Sequence, residues 1–517
     1  MRSPLRAAAL LAAGALLLSA CVPDKTQVSP TDGVSDTGEP TASATPSDGG
    51  EAAGVYGQQI DWSTCGELEC ATIQVPLDWD EPDGDTVDLA INRYPAADQD
   101  SRIGSLLINP GGPGGSGLDF TESFVTTAGD DLLDSYDVVG FDPRGVGEST
   151  PVECGSDATI DDYYMADVVI ESQDDVDAEV ARTQDFAAGC EDATGDFLTE
   201  VDTVSAARDM DLLRSLLGDE ELYYMGFSYG TQLGATYAEL YPENVGRMVL
   251  DGALDLTLSD EDLTLGQAGG FENAYRNYLT WCIAQGDCPL GDTVEEGLEE
   301  TTALLDRALE EPFYTAQTYD LNRNLLLYGI IVTLYSEESW GFLTQGFEEL
   351  EQQSTGAIMY QLANFYFDRE PSSDSYSANS TWAFTAINCA DSVDREATTY
   401  ADIEDFTAEA EEVSPTFGWW FASGTGCDGW PESDAQTVTS LDEAAAGAAD
   451  KIVVVGTTND PATPYAWAEA MADQLGAPLL TYEGEGHTAY GRSNACIVDN
   501  VDGFMVDGNL PDSGTRC

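Results

Sequence analysis

Three side chains in this sequence of 517 residues could together carry acyl transfer. Ser228 stands in Gly226-Phe227-Ser228-Tyr229-Gly230, the only match to G-x-S-x-G in the chain. An apolar run precedes it and a small-residue amphipathic segment follows, so the serine is expected at a sharp strand-to-helix turn. Glycines at the flanking positions avoid clashes there, and the turn lifts the hydroxyl clear of the backbone. The N-terminus of the following helix then faces developing negative charge. A serine hydroxyl needs a base. His487, in GEGHTAY, is the only histidine of the chain, and imidazole is the side chain suited to that work near neutral pH. The base needs an acid to hold its Nδ1–H and stabilise the imidazolium. Asp460 follows the apolar run KIVVVGTTN on a loop stiffened by Pro461 and Pro464. Asp251, after RMVL, is the runner-up.

Acyl transfer also needs donors for an oxyanion. The backbone N–H of Tyr229 is the first. A second is expected from Asn109–Gly117, NPGGPGGSG, where glycines let N–H groups approach a substrate oxygen without Cβ interference. A phosphate loop is excluded, because no G-K-[ST] follows and the spacing is not G-x-G-x-x-G. A second glycine-rich loop, FDPRGVGEST, carries Asp142 and Arg144, expected to brace the loops around the site rather than to touch substrate.

These residues need a scaffold. Short apolar runs recur, each ending in a glycine-rich turn: SLLINPGG, YDVVGFDPRG, ELYYMGFSYG, RMVLDGALD, KIVVVGTTND and APLLTYEGEG. Helical patterns lie between several of them. TVSAARDMDLLRSLLG places Val204, Ala207, Met210, Leu213 and Leu217 on one stripe and stops at Gly218. Alternating strands and helices predict an α/β fold, a mostly parallel sheet with helices on both faces. The alternation breaks over 256–436, where helical patterns dominate. The expected organisation is a core over 56–255, a helical insertion over 256–436 and a completing segment over 437–517 that carries the acid and the histidine.

The first twenty residues read as an export signal: Arg2 and Arg6, an apolar stretch too short for a membrane span, then LSAC. Small residues before Cys21 predict lipidation of that thiol. Residues 21–55, rich in Ser, Thr, Pro, Gly and Asp, are expected to be a disordered tether. An extracytoplasmic, lipid-anchored protein follows, with a monomer as the expected state. The charge is extreme, with 18 Lys and Arg against 96 Asp and Glu, formally −78. Such a surface excludes nucleic acid as a partner and suits a saline exterior. Of the eleven cysteines, ten remain beside Cys21, an even number fitting an oxidising compartment. Their order suggests local pairs, Cys65–Cys70, Cys154–Cys190, Cys282–Cys288, Cys389–Cys427 and Cys496–Cys517, among many possible connectivities. With those thiols paired and one histidine, few ligands remain for a transition metal. No metal and no cofactor is expected.

PGGPGGSG, FDPRGVGES, GFSYGT, NDPATP and GEGHTAY, in that order, resemble the secreted tripeptidyl aminopeptidases of the α/β-hydrolase fold, relatives of the proline iminopeptidases. The resemblance runs from about Tyr56 to Cys517. It implies Ser228, Asp460 and His487 as a catalytic triad, Tyr229 and Gly112 as oxyanion donors, and the helical insertion as a cap. One departure is that proline iminopeptidases carry histidine before GGPG, where this chain has Pro110. An exopeptidase must read a free ammonium, and Glu272 and Asp391 are candidate readers. The implied activity is a serine exopeptidase acting on peptides with free N-termini. An esterase or lipase with the same triad is the alternative, and a non-catalytic peptide-binding lipoprotein is a third.

Overall fold

In the computed structural model, residues 54–392, 397–433, 435–512 and 514–517 are described. The expected signal, Cys21 and nearly all of the expected tether lie outside them. The folded body begins slightly before Tyr56, because Val55 is buried and packs into the main core.

Nine strands form one sheet: β1 (Ser63–Cys65), β2 (Leu68–Pro76), β3 (Thr86–Tyr94), β4 (Gly104–Asn109), β5 (Tyr136–Phe141), β6 (Leu222–Phe227), β7 (Val245–Asp251), β8 (Ile452–Asn459) and β9 (Leu479–Glu485). Their spatial order is β1-β2-β3-β5-β4-β6-β7-β8-β9. The first three pair antiparallel, as do β3 and β5. Every pairing from β5 through β4 to β9 is parallel. This is the α/β-hydrolase fold.

The parallel strands are apolar on both faces because both faces are covered. Leu107, Val139 and Val454 point into one core, while their neighbours Ile108, Val138 and Val455 point into the other. On the first face lie α1 (Thr203–Leu217) and α2 (Tyr229–Leu240). The Asp202 side chain caps α1 by accepting from the Ser205 N–H, and Gly218 ends it in a left-handed turn at φ 84°, the conformation glycine adopts without penalty. Hence the predicted stripe is buried at Val204, Ala207, Met210 and Leu213.

Between β7 and β8 the regular elements described are helices, as the periodicity predicts, apart from a short hairpin of Arg369–Glu370 with Ser375–Tyr376. Most of this stretch builds a core of its own, around Phe271, Tyr275, Leu327, Phe347 and Phe417. The helix Ser380–Asp391 is different: Trp382, Ala383, Ala386 and Ile387 join the core beside the sheet. The segment over 256–436 is therefore not one independent layer. The ten described cysteines stand in five bonded pairs, 65–70, 154–190, 282–288, 389–427 and 496–517. No described helix is long and apolar enough to cross a membrane.

The charge imbalance has a structural counterpart. Every described arginine and Lys451 is engaged by a carboxylate, a carbonyl or a ring, from Arg93 with Glu69 to Arg516 with Glu483. Among the described residues the acids far outnumber these cations, and the excess repels itself. Added salt screens that repulsion, since the Debye length falls from about 30 Å at 0.01 M to about 3 Å at 1 M. The thermal unfolding midpoint is expected to rise by several degrees over that range of NaCl. A midpoint that is flat or falls with salt would contradict this.

Candidate active site

The ends of β4, β6 and β7 lie level, with Asn109 in register with Gly226 and Phe227 with Asp251; β8 pairs with Asp251 at Val455 and runs on to Asn459. The loops that follow emerge at one edge of the sheet, the carboxyl edge where open α/β sheets bind ligands.

Ser228 occupies the turn from β6 to α2 at φ 56°, ψ −126°, a region costly for any residue with a Cβ. Neighbouring backbone holds it there. Its N–H donates to the Asp251 carbonyl at 2.9 Å, and its own carbonyl accepts from the Thr231 N–H at 2.8 Å. The tightness explains the glycine before it, since a Cβ on Gly226 would lie 2.2 Å from the Gly230 oxygen. Gly111 explains the other loop: a Cβ there would sit 2.8 Å from the Ser228 Cβ and 3.0 Å from the Tyr229 nitrogen. The loop after β4 is thus laid directly on the turn, and Gly112 and Ser228 line the same cavity. Tyr229 opens α2, so its N–H is among those a helix leaves without an internal acceptor. Its hydroxyl is anchored by Thr203 Oγ1 at 2.5 Å.

Asp460 and His487 come together. The His487 Nδ1 lies 2.8 and 3.0 Å from the two Asp460 carboxylate oxygens, and Asp460 is buried. The carboxylate also accepts N–H bonds from Ala462, Thr463 and Thr488 at 2.9–3.1 Å. Those bonds fix it from both the acid loop and the histidine loop. The histidine loop is tied to the helical segment as well. The Tyr335 carbonyl accepts from the His487 N–H at 3.0 Å and from Arg492 at 2.8 Å. The Tyr335 ring meets the imidazole edge-on at 5.5 Å and lines the cavity that holds Ser228.

Asp251, the runner-up acid, does not bond the imidazole. Its fully buried carboxylate accepts from the Ala489 N–H at 3.0 Å and the Tyr490 N–H at 2.7 Å. It joins the serine turn, through its carbonyl, to the histidine loop, through its side chain. Burial, opposed by those two N–H donors, pushes its pKa up to about 6. Burial likewise raises Asp391 to about 7. An unfolded aspartate titrates near about 4. From there up to the folded values the native chain holds more protons than the unfolded one, so these residues make the fold less stable as pH rises through that window. At constant ionic strength the unfolding midpoint is expected to fall from about pH 5 to about pH 7. Asp251→Asn together with Asp391→Asn should flatten that slope, and a midpoint rising with pH would contradict it.

Asp142 and Arg144 brace loops, as expected. Asp142 accepts from Ser116 Oγ at 2.7 Å, from the Leu118 N–H and from the Glu148 N–H. Arg144, with no exposed surface, grips Asp209 with two bonds of 2.7 Å and reaches the carbonyls of Pro76, Leu77 and Glu200.

The two candidate ammonium readers are not where that role requires. Neither Glu272 nor Asp391 lines the cavity of Ser228. The Glu272 carboxylate is occupied by Arg276, Ser414 and Thr416. The Asp391 carboxylate is held by the N–H and hydroxyl of Thr203. The carboxylates that do line the cavity are Asp167 and Glu179. They come from the acidic segment over 157–194, which offered no motif.

Residues 414–517 match the family described as TAP-like protein. The chain is 36% identical to the serine protease Hip1 of Mycobacterium tuberculosis over 485 residues, covering 89% of this chain and 91% of that one. The chain belongs to the TAP-like family of α/β hydrolases. Two further relatives carry different names. Carboxylesterase B of M. tuberculosis is 36% identical over 501 residues, covering 93% of each chain. The tripeptidyl aminopeptidase of Streptomyces lividans is 28% identical over 475 residues, covering 89% of this chain and 86% of that one. The match to the TAP-like family spans both the Asp460 loop and the His487 loop. It begins at Ser414, inside the helical stretch, so the family segment does not coincide with the expected boundary at 437.

Proposed function

We propose that this chain is an extracytoplasmic serine peptidase that releases short peptides from free N-termini. The observation that carries the reading is the Asp460–His487 pair, set at the same sheet edge as Ser228 on its strained turn. In the proposed mechanism the Ser228 hydroxyl attacks the scissile carbonyl and passes its proton to His487. Asp460 holds the imidazole in the required tautomer and stabilises its charged form. The N–H groups of Tyr229 and Gly112 receive the oxyanion. His487 returns the proton to the leaving amine, and water then frees the acyl group by the same route.

Most of the helical stretch over 256–436 acts as the cap, its helix Ser380–Asp391 joining the core beside the sheet, with a core over 56–255 and a completing segment over 437–517. The reading includes export by residues 1–20, lipidation at Cys21 and a tether to residue 55, which would hold a monomeric enzyme at the membrane surface. The relatives named serine protease and tripeptidyl aminopeptidase support peptide substrates. One observation favours a carboxylesterase as a second reading: a relative of that name is equally similar.

The test is direct. A form lacking residues 1–53 is assayed on tripeptidyl anilides with free and with blocked N-termini, and on short acyl esters. Cleavage of the free-amine anilides supports the reading, and turnover of esters alone would sink it.

A further inference from the structure

The cavity beside Ser228 is about 420 Å³, at the small end of the roughly 300–1,000 Å³ that drug-sized ligands fill. That volume suits a short peptide acyl group. Its wall is a continuous run of rings that starts at the imidazole. Tyr335 packs on His487 with ring centres 5.5 Å apart, and Phe271 packs on Tyr335 at 5.7 Å. Phe421 follows at 6.0 Å from Phe271, then Trp420 at 4.9 Å, Tyr328 at 5.3 Å and Tyr366 at 4.8 Å. All six line the cavity.

The ionic groups there are already matched. Glu179 pairs with Arg182 at 2.5 Å and Asp167 with Arg323 at 3.1 Å. Each arginine is also stacked on a ring, Arg182 on Tyr163 and Arg323 on Trp419. Among the described residues, no unpaired carboxylate lines the cavity to attract a basic side chain, and no unpaired cation lines it to attract an acidic one. Apart from the polar side chains of Thr264, Gln267, Asn324 and Ser423, what remains for an occupant is mostly aromatic surface, which favours large apolar groups and ring-on-ring contact.

We propose that this wall is the specificity pocket for the acyl side of the substrate and selects peptides whose residue before the scissile bond is bulky and apolar, aromatic above all. The inference rests on the peptidase reading, since in that reaction the short acyl part is what stays on the serine. Even one methylene in an apolar pocket changes specificity by roughly 10-fold or more, so a whole ring must do at least that.

The experiment uses free-amine tripeptide anilides that differ only in the residue before the anilide: Phe, Tyr, Leu, Ala, Lys or Asp. The expected result is a kcat/KM for Phe and Tyr at least about 10-fold above that for Ala, with Lys and Asp at or below Ala. Trp420→Ala, and Tyr366→Ala on the partly exposed rim, should bring the Phe-to-Ala ratio towards one. Equal rates for Phe and Ala in the unaltered enzyme, or a preference for Lys or Asp, would overturn the proposal while leaving the peptidase reading intact. If no anilide is cleaved, the peptidase reading fails. Nitrophenyl esters of the same acyl groups then decide the pocket alone, with the same Phe-to-Ala ratio expected. Absence of turnover in both series overturns both.

Discussion

His487→Ala is expected to lower kcat/KM by about 10⁴-fold or more, leaving only what the oxyanion donors and binding supply. This chain makes the result unusually clean. It has one histidine, so no second imidazole can take over the proton. Asp460→Asn replaces the carboxylate facing Nδ1 at 2.8 Å and should lower kcat/KM by about 10⁴-fold, because the imidazole loses the partner that sets its tautomer. Asp251→Asn removes a carboxylate that bonds only backbone in the histidine loop and should perturb activity less than Asp460→Asn. A variant without histidine that kept more than about a hundredth of the activity would be incompatible with a general base at this position.

The largest effect on stability is expected from Arg144→Met. The guanidinium is fully buried with Asp209, and three carbonyls share its remaining N–H groups. Removing it leaves the Asp209 carboxylate with only the Trp79 indole N–H at 2.9 Å. Breaking one side of a buried pair typically costs about 3–5 kcal/mol, because the surviving charge stays buried. Arg144→Met should lower the denaturant midpoint by that equivalent, and adding Asp209→Leu should recover much of the loss. A single-variant loss under about 1 kcal/mol would mean that water reaches Asp209 and that the pair does not hold the loops. Arg144 and Asp142 belong to one loop, and Asp142 secures Ser116 at the end of the glycine segment beside Ser228. Activity should therefore fall with stability in this variant, and recover with it in the double one.

Much of this architecture was legible in the sequence because it obeys local rules. The parallel strands are buried on both faces, so they read as unbroken apolar runs ended by glycine. Ser228 is marked by glycines that the turn requires sterically, and His487 by being alone. Other features gave no such signal. Strands β2 and β3 expose alternate residues such as Gln74 and Asp88 to solvent, which dilutes their pattern. The helices Asp157–Tyr164 and Gln173–Thr194 are rich in acids, so a surface charge run hides the residues that reach the cavity. The ammonium readers failed for a related reason: among 96 acids, position along the chain says nothing about which carboxylate lacks a partner. The aromatic wall is contributed by Phe271, Tyr328, Tyr335, Tyr366 and the pair Trp420–Phe421, segments far apart in sequence, and only folding makes them neighbours. The helix Ser380–Asp391 has the same helical periodicity as the insertion around it, although its tryptophan and alanines pack beside the sheet.

The central claim, that Ser228 is the nucleophile, is tested most directly by covalent trapping. The full folded chain is treated with a fluorophosphonate, activity is followed against incorporation, and the adduct is located by peptide mass spectrometry. One adduct per chain on Ser228, with activity lost in proportion and no labelling of His487→Ala on the same time scale, is the predicted result. An adduct on another residue that accounts for the inactivation, or full activity with Ser228 modified, would contradict the assignment.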